Sequence, residues 1–330
     1  MKIVVTGGAG FIGSHIVESL VYLGHEVTVF DNFYTGRREN LSNVIDDIRI
    51  IEGDIMNVEA LRNVFKNVDI VSHQAAQLEI FRSTDEPLFD LELNTIGTLN
   101  VLKAAKDVGV SKIVNASSAC IYGQVEGVTS EEHYPRPNWA YGVSKLAAEK
   151  YCDIYSDYFQ LPVVNLRYGI TFGEREWYRR VLTIMCKRVI NGQEPVVFGD
   201  GSQVRDFIYV KDLVEFHNTV LKSEKANGRS YNVGTGIGTS IKDLALKVVE
   251  ASGKDLHVVY ENTEEGEFSK LVPDKKRNTA ELKVMLLNVT KAKIEMGWEP
   301  KISLVDGLRN EINWATENMD RWEKVFYSKI

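Results

Sequence analysis

Short β-branched apolar runs recur along the first half of the chain, and from the third run on each is preceded by a stretch in which apolar residues fall three and four apart. The runs are Ile3-Val4-Val5, then positions 26–30, 48–51, 68–71, 112–115 and 162–166. Runs this short and this rich in valine and isoleucine predict buried strands, and the intervening spacing predicts helices. Strict alternation of the two predicts βαβ units and hence a parallel sheet. Two helical segments stand out for length. Residues 88–108 place Leu88, Leu91, Ile96, Leu99, Leu102 and Ala105 on an apolar stripe, and residues 140–158 combine small residues with tyrosines. Both have apolar residues to spare for a partner.

The first strand runs directly into Thr6-Gly7-Gly8-Ala9-Gly10-Phe11-Ile12-Gly13. A strand that turns into a helix through glycines is a dinucleotide cradle. Gly7 permits the tight turn, Gly10 lets backbone N–H groups reach a pyrophosphate, and Gly13 lets the helix pack close to the strand. The helix N-terminus adds partial positive charge there. The second strand ends at Asp31, 18 residues beyond Gly13, with Asn32 beside it. A carboxylate at that point accepts hydrogen bonds from the adenosine ribose and repels a 2′-phosphate, which favours NAD over NADP. Arg37 and Arg38 lie close enough in sequence to soften that preference. Asp54 and Ile55, after the third strand, are expected at the adenine edge, and Ala75 and Ala76, after the fourth, beside the cofactor.

Composition narrows the class without naming it. A chain of 330 residues with 44% hydrophobic content can bury a large core, in one big or two modest domains. The net charge of −7, with no basic tract, argues against nucleic-acid binding. Cys120, Cys152 and Cys186 are too few and too far apart for a disulfide framework or a CxxC metal site, so no metal is expected. Met1-Lys2 leads straight into a strand, and no later apolar stretch has spanning length, so a soluble cytoplasmic protein without a membrane partner is the expectation.

Candidate chemistry enters at Tyr141-Gly142-Val143-Ser144-Lys145, where a phenol and an ammonium four residues apart project from one helix face. A lysine cation near the ring, together with a positively charged nicotinamide, would favour phenolate and make Tyr141 a general base near neutral pH. Lys145 can also hold the nicotinamide ribose. The fifth strand ends in Ser117-Ser118-Ala119-Cys120 at the sheet's carboxyl edge, where open α/β sheets bind ligands. Ser118 is thereby placed to hydrogen-bond the reacting hydroxyl. The catalytic candidates are Ser118, Tyr141 and Lys145.

These residues resemble the extended short-chain dehydrogenase/reductase family in its nucleotide-sugar epimerase and dehydratase branch. The likeness spans nearly the whole chain and rests on the glycine loop, Asp31, Asn94-x-x-Gly97-Thr98, Ser117-Ser118-Ala119, Tyr141-x-x-x-Lys145 and the stretch Phe198-Gly199-Asp200-Gly201-Ser202-Gln203-Val204-Arg205-Asp206-Phe207. It implies NAD as cofactor, with Asn94 among the cofactor contacts, a UDP-linked sugar as partner, and a homodimer paired through the two long helices. It also implies that Phe198 stacks on the base and Arg205 pairs with the diphosphate, roles that suit an aromatic face and a guanidinium fork. Read blandly, Phe198 is core and Arg205 a surface ion pair.

The positions just after the serine separate the family's branches. Dehydratases carry an Asp-Glu pair and sugar-nucleotide decarboxylases a glutamate, whereas this chain has Ala119 and Cys120. The resemblance therefore points to a 4-epimerase of a UDP-sugar, whether UDP-glucose/galactose, a UDP-N-acetylhexosamine or a UDP-uronate, acting through a transient 4-keto sugar. Two alternatives stand beside it: a nucleotide-sugar 3,5-epimerase using Cys120 as acid/base, and a non-catalytic NAD-binding sensor. Ile170 stands near a place where relatives carry a substrate asparagine. Downstream, Arg180 with Val181 is a candidate replacement at the diphosphate, and Arg175 or Arg179 a candidate partner for an acidic sugar substituent; the same residues also read as a charged helix entrance. Arg277 is a further nucleotide candidate, and Met285 lies in the region that sets the width of the sugar pocket.

The predicted architecture is an α/β, Rossmann-type doubly wound parallel sheet with a smaller C-terminal α/β substrate domain. Residues 1–165 plus about 204–233 would form the NAD-binding domain. About 166–203 and 234–330 would form the nucleotide-sugar-binding domain.

Overall fold

The computed structural model describes residues 1–273, 275–277 and 281–323. In chain order the strands among these residues are β1 (Lys2–Thr6), β2 (Glu26–Asp31), β3 (Ile48–Glu52), β4 (Ile70–His73), β5 (Lys112–Ser118), β6 (Val163–Tyr168) and β7 (Ile170–Phe172). They continue with β8 (Val196–Phe198), β9 (Val204–Tyr209), β10 (Ser230–Val233), β11 (Gly238–Ser240), β12 (Val259–Glu261) and β13 (Val284–Met285). Seven of them form one all-parallel sheet in the order β3-β2-β1-β4-β5-β6-β10. This is the doubly wound order expected from the alternating pattern. Its switch point falls between β1 and β4, so the glycine loop after β1 opens beside Ala75 after β4. Among the described residues no helix is long and apolar enough to cross a membrane.

Strands buried on both faces are rich in apolar residues, and in β1 and β6 Val4, Val5, Val164 and Leu166 are fully enclosed, while β6 also buries Asn165 and Arg167. One face is covered by the Phe11–Tyr22 helix and the Val210–Lys222 helix, which pack on each other. On the other side, the Gly97–Val108 helix lies between the Val58–Val64 and Ala140–Phe159 helices. Segment 88–108 is helical as expected, with one difference. Pro87–Leu91 is followed by a π turn at Glu92–Ile96 before the α-helix resumes at Gly97. Asn94 lies in that wide turn, and such turns recur where a side chain must be aimed.

A second sheet, smaller and mixed, is centred on β9, which pairs with β7, β11 and β13. The expectation that residues 204–233 rejoin the large sheet as a block is thus corrected at β9. The chain returns one element later, through the Val210–Lys222 helix and β10. The physical reason is that Phe207, Ile208 and Tyr209 are all buried, in β9 within the second sheet as they would have been in the first. Hydrophobicity alone cannot choose between two cores. The Val181–Ile190, Ile241–Ser252 and Leu304–Glu317 helices pack together around this second unit.

Candidate active site

The site is built at the carboxyl edge of the large sheet. Gly7 has φ +66°, and a Cβ there would lie 2.6 Å from the Ala75 nitrogen, so only glycine lets β1 turn against the end of β4. A Cβ on Gly13 would run into the Gly7 carbonyl oxygen, so the helix meets the loop at backbone distance. Below the loop, His73 links three elements: Thr6 Oγ1 is 2.7 Å from its Nδ1, and Thr98 Oγ1 is 3.0 Å from its Nε2. Because Thr98 donates its hydroxyl proton to the Asn94 carbonyl (2.6 Å), Nε2 carries the His73 proton and Nδ1 accepts from Thr6. Burial first, then the Lys145 charge, hold the His73 pKa down to about 3, so this strut is neutral.

One cavity of about 440 Å³ joins the loop to the catalytic candidates. It is lined by Gly7, Gly10, Phe11, Ile12, Gly13 and Asp31 at one end and by Ser118, Cys120, Tyr141, Lys145 and Arg180 at the other. Asn32, Asp54, Ile55, Ala75 and Ala76 line it between. Asp31 accepts from the Ala9 N–H at 2.9 Å and the Phe33 N–H at 2.8 Å, which fixes its carboxylate at the end of β2; burial raises its pKa. Asn32 donates to Asp54 Oδ2 at 3.0 Å, tying together the two loops at the adenine end. Arg37 reaches the Arg321 carbonyl at 3.0 Å and Arg38 reaches Glu52 at 3.1 Å, so both guanidinium groups are held by the chain beside the acid. A glycine cradle that any Cβ would fill, followed by a fixed carboxylate, fits NAD. Gly7, Gly10, Gly13 and Asp31 would hold it.

Ser118 caps the turn after β5, its Oγ accepting from the Cys120 N–H at 3.1 Å, and it hydrogen-bonds the Tyr141 phenol. Tyr141 opens the first turn of the Ala140–Phe159 helix, and Lys145 follows one turn on, 3% exposed. Their protonation differs from the expectation drawn from the sequence. Burial, then Cys120, push the Tyr141 phenol above its ordinary range, and the Ser118 hydrogen bond only partly offsets this. Burial also lowers the Lys145 pKa to about 8, despite the pull of nearby Asp90 and Glu149. The enclosed pair alone does not favour phenolate, because enclosure penalises both charged forms. A phenolate at Tyr141 would need a further positive charge, such as the nicotinamide already included in the sequence-based expectation.

Asn94 makes its bonds inside the protein. Its amide donates to the Gln77 carbonyl, Asp90 Oδ1 and Ser144 Oγ, and it accepts from the Gln77 N–H at 2.9 Å. It positions the catalytic helix against the loop after β4 and is absent from the cavity lining, which differs from the expected cofactor contact. Sequence reasoning missed its partner Asp90, which accepts from Ser144 Oγ at 2.5 Å and Gln77 Nε2 at 2.9 Å. It also missed the buried Glu149–Arg167 pair (2.5 Å), which clamps the same helix to β6 while Ser117 Oγ donates to Glu149 at 2.6 Å. No local motif marks either group. Glu149 does fall one helical turn beyond Lys145, and an acid on that inner face was the available signal.

The remaining candidates form a second group. Phe198 ends β8, and the Arg277 guanidinium lies against Gly199. Arg205 and Arg277 share Glu281, at 3.8 and 3.7 Å, and Gln203 donates to the same carboxylate at 3.0 Å. None of Phe198, Arg205 and Arg277, nor Val181, lines the cavity. Arg205 is nonetheless close enough for its charge to act on Cys120. Arg175 lines the cavity but is held by Glu18 at 2.7 Å on the Phe11–Tyr22 helix, because the 174–180 loop folds back over that helix. Arg179 lies off the cavity, its carbonyl accepting from Lys275 at 3.0 Å. Arg180 lines the cavity, with Nη1 2.9 Å from the Thr171 carbonyl and its plane over Trp177. Met285 closes the opposite wall.

Residues 3–234 match the NAD dependent epimerase/dehydratase family. Among curated relatives, a UDP-glucose 4-epimerase of Mycolicibacterium smegmatis is 31% identical over 95% of this chain and 98% of its own length. A UDP-N-acetyl-alpha-D-glucosaminuronate decarboxylase of Bacillus cytotoxicus is also 31% identical, over 96% and 98%. Among solved structures, the UDP-glucose 4-epimerase of Thermus thermophilus in complex with NAD superposes with a TM-score of 0.84 at 34% identity, covering all of both chains. These likenesses run the length of the chain, and the protein belongs to the NAD-dependent epimerase/dehydratase family, as an NAD-dependent enzyme of the extended short-chain dehydrogenase/reductase type.

Proposed function

We propose that the protein interconverts UDP-sugars at C4 through a transient 4-keto sugar. One observation carries this reading: Ser118, Tyr141 and Lys145 stand at one end of a cavity whose other end is the dinucleotide cradle. Ser118 holds the C4 hydroxyl oxygen, and Tyr141 takes its proton. NAD, held by Gly7, Gly10, Gly13 and Asp31, would supply the hydride acceptor and donor that inversion at C4 requires. Lys145 holds the ribose next to the reacting carbon and, as a cation, favours the Tyr141 phenolate. Enclosure strengthens each of these charge interactions by excluding water.

The residues after Ser118 support epimerisation over elimination or decarboxylation. Ala119 is 2% exposed and Cys120 is 7% exposed, and neither offers a carboxylate to the cavity. Glu176 does line the cavity, but it is paired with Arg180 at 2.9 Å. A single base and a hydride acceptor meet the needs of C4 inversion, whereas elimination needs a separate acid. Arg180 and Arg205 are suited to a diphosphate, because a guanidinium fork matches phosphate oxygens.

One observation favours a second reading, 3,5-epimerisation through Cys120. Both Arg180 and Arg205 act on that thiol to lower its pKa, as a thiolate base would require. Burial outweighs them and pushes the Cys120 thiol up, which supports the C4 reading. The test is to incubate the protein as purified with a panel of UDP- and GDP-sugars in D2O and follow the products by proton NMR. C4 epimers without solvent deuterium are the expected result, whereas deuterium at C3 or C5 would replace this reading with the second.

A further inference from the structure

Beneath Arg180 lie two acids that the chemistry above does not use. The Glu176 side chain is 1% exposed; Oε1 is 2.9 Å from Arg180 Nη1 four residues on, while Oε2 has no hydrogen-bond partner among the described residues. Glu311 enters from the Leu304–Glu317 helix, fully buried, and neither of its oxygens has a partner among the described residues. Asn310, next to Glu311, donates to the Tyr209 hydroxyl at 3.2 Å, which in turn donates to Glu174 at 2.7 Å, so this helix meets the 174–176 segment; both carboxyls act on the Cys186 thiol from the Val181–Ile190 helix. Three orphaned carboxyl oxygens therefore share one buried space.

The charged and titratable groups facing that space are few. Glu174 is engaged by the Tyr209 hydroxyl at 2.7 Å and Lys211 at 2.9 Å, Cys186 is buried, and Arg180 is the cation that reaches the pair. Two enclosed carboxylates beside a single guanidinium cannot both ionise, because like charges at close range in low dielectric raise one of the two pKa values. A single proton between them would also give the orphaned Glu176 oxygen the donor it lacks. Glu176 has the ion pair with Arg180 and Glu311 has none, which decides where the proton resides.

We propose that Glu311 is a neutral acid that donates its proton to Glu176, and that this pair positions the Arg180 guanidinium at the cavity wall for an anionic substrate. The functional half rests on the reading that Arg180 meets the UDP-sugar; the proton-sharing half rests on the two enclosed carboxyls and their unpartnered oxygens. Burial acts in the same direction, raising the pKa of both carboxyls. Once Glu311 loses its proton, a second negative charge repels Glu176 and draws Arg180 inward, away from the cavity. Substrate binding then weakens at alkaline pH.

The test begins with the infrared spectrum of the protein as purified, titrated with pH. A protonated-carboxyl C=O band should be present at neutral pH and fade at alkaline pH. Glu176→Gln, which removes the neighbouring anion, should shift that fading to lower pH. Glu311→Gln retains a neutral donor that cannot ionise, so it should abolish the band. An acid whose pKa is higher folded than unfolded loses stabilising effect as pH rises from its unfolded value, so the melting temperature of Glu311→Gln should exceed that of the parent by a margin that widens toward pH 8. With UDP-glucose as probe, the parent KM should rise at alkaline pH with kcat less affected, Glu311→Gln should flatten that rise, and Glu176→Gln should raise KM about tenfold. Absence of the band in the parent, or a pH profile of KM that Glu311→Gln leaves as it was, overturns the proposal. If the band and the melting shift appear but no UDP-sugar is turned over, the pair stands and the C4 reading falls.

Discussion

At the scale of single residues, protonation is where local chemistry and enclosure oppose each other. Tyr141→Phe should lower turnover by ~10²-fold or more, since general-base contributions run to about 10²–10⁴, while bound NAD, measured after denaturation, stays at the parent level. Lys145 yields a pH prediction. Its pKa is about 8 folded against 10.5 unfolded, so between those values the unfolded chain binds more protons and stability rises with pH. Lys145→Met should flatten that rise in NAD-free protein, by up to about 1.4 kcal/mol per pH unit, read from denaturant midpoints between pH 8 and pH 10. Arg205 separates binding from chemistry. Arg205→Ala should raise KM by roughly 10- to 150-fold, the equivalent of a charge-assisted bond of about 1.5–3 kcal/mol, with kcat less changed and NAD content unaffected. Folding should tolerate the change, because Glu281 keeps Arg277 at 3.7 Å and Gln203 at 3.0 Å. Calorimetry showing UDP bound as tightly by the variant as by the parent would make Arg205 an ion pair and nothing more.

At the scale of elements, the glycine loop was legible in the sequence because its requirement is steric and local. Gly13→Ala places a methyl group against the Gly7 carbonyl, so it should yield folded protein with NAD content well below the parent; full occupancy would contradict the close packing of loop and helix. Tyr141 and Lys145 were equally legible, since four residues on a helix always share a face. Asn94 shows the limit of such reasoning. Its motif suggested a ligand contact, yet the π turn at Glu92–Ile96 directs its amide to Gln77, Asp90 and Ser144. A turn of one extra residue is invisible to a periodicity of 3.6. The partner of Arg175 was hidden for a related reason: Glu18 is 157 positions away, on a helix that the 174–180 loop reaches only in the folded chain.

At the scale of the molecule, the two long helices leave an apolar surface. Leu88 is 74% exposed, Tyr158 81%, and Val143, Tyr151, Ile154 and Phe159 are exposed beside them. Exposed apolar residues along both helices would be buried by pairing, so we expect a homodimer paired through these helices. Light scattering should give twice the 37.3 kDa chain mass, and Val143→Glu with Ile154→Glu should return it to the monomer. A monomeric parent at micromolar concentration would refute this. By itself the sequence determined the alternation of strand and helix, the NAD cradle with its carboxylate, and the Ser118–Tyr141–Lys145 set, because hydrophobic period, glycine sterics and helical spacing act within a few residues of one another. Only the tertiary structure decided which sheet received β9, that Arg175 turns to Glu18, that enclosure raises Tyr141 and lowers Lys145, and that Glu176 and Glu311 meet. Each of those depends on what a side chain is packed against and how far water is excluded from it, and both are set by segments distant in sequence.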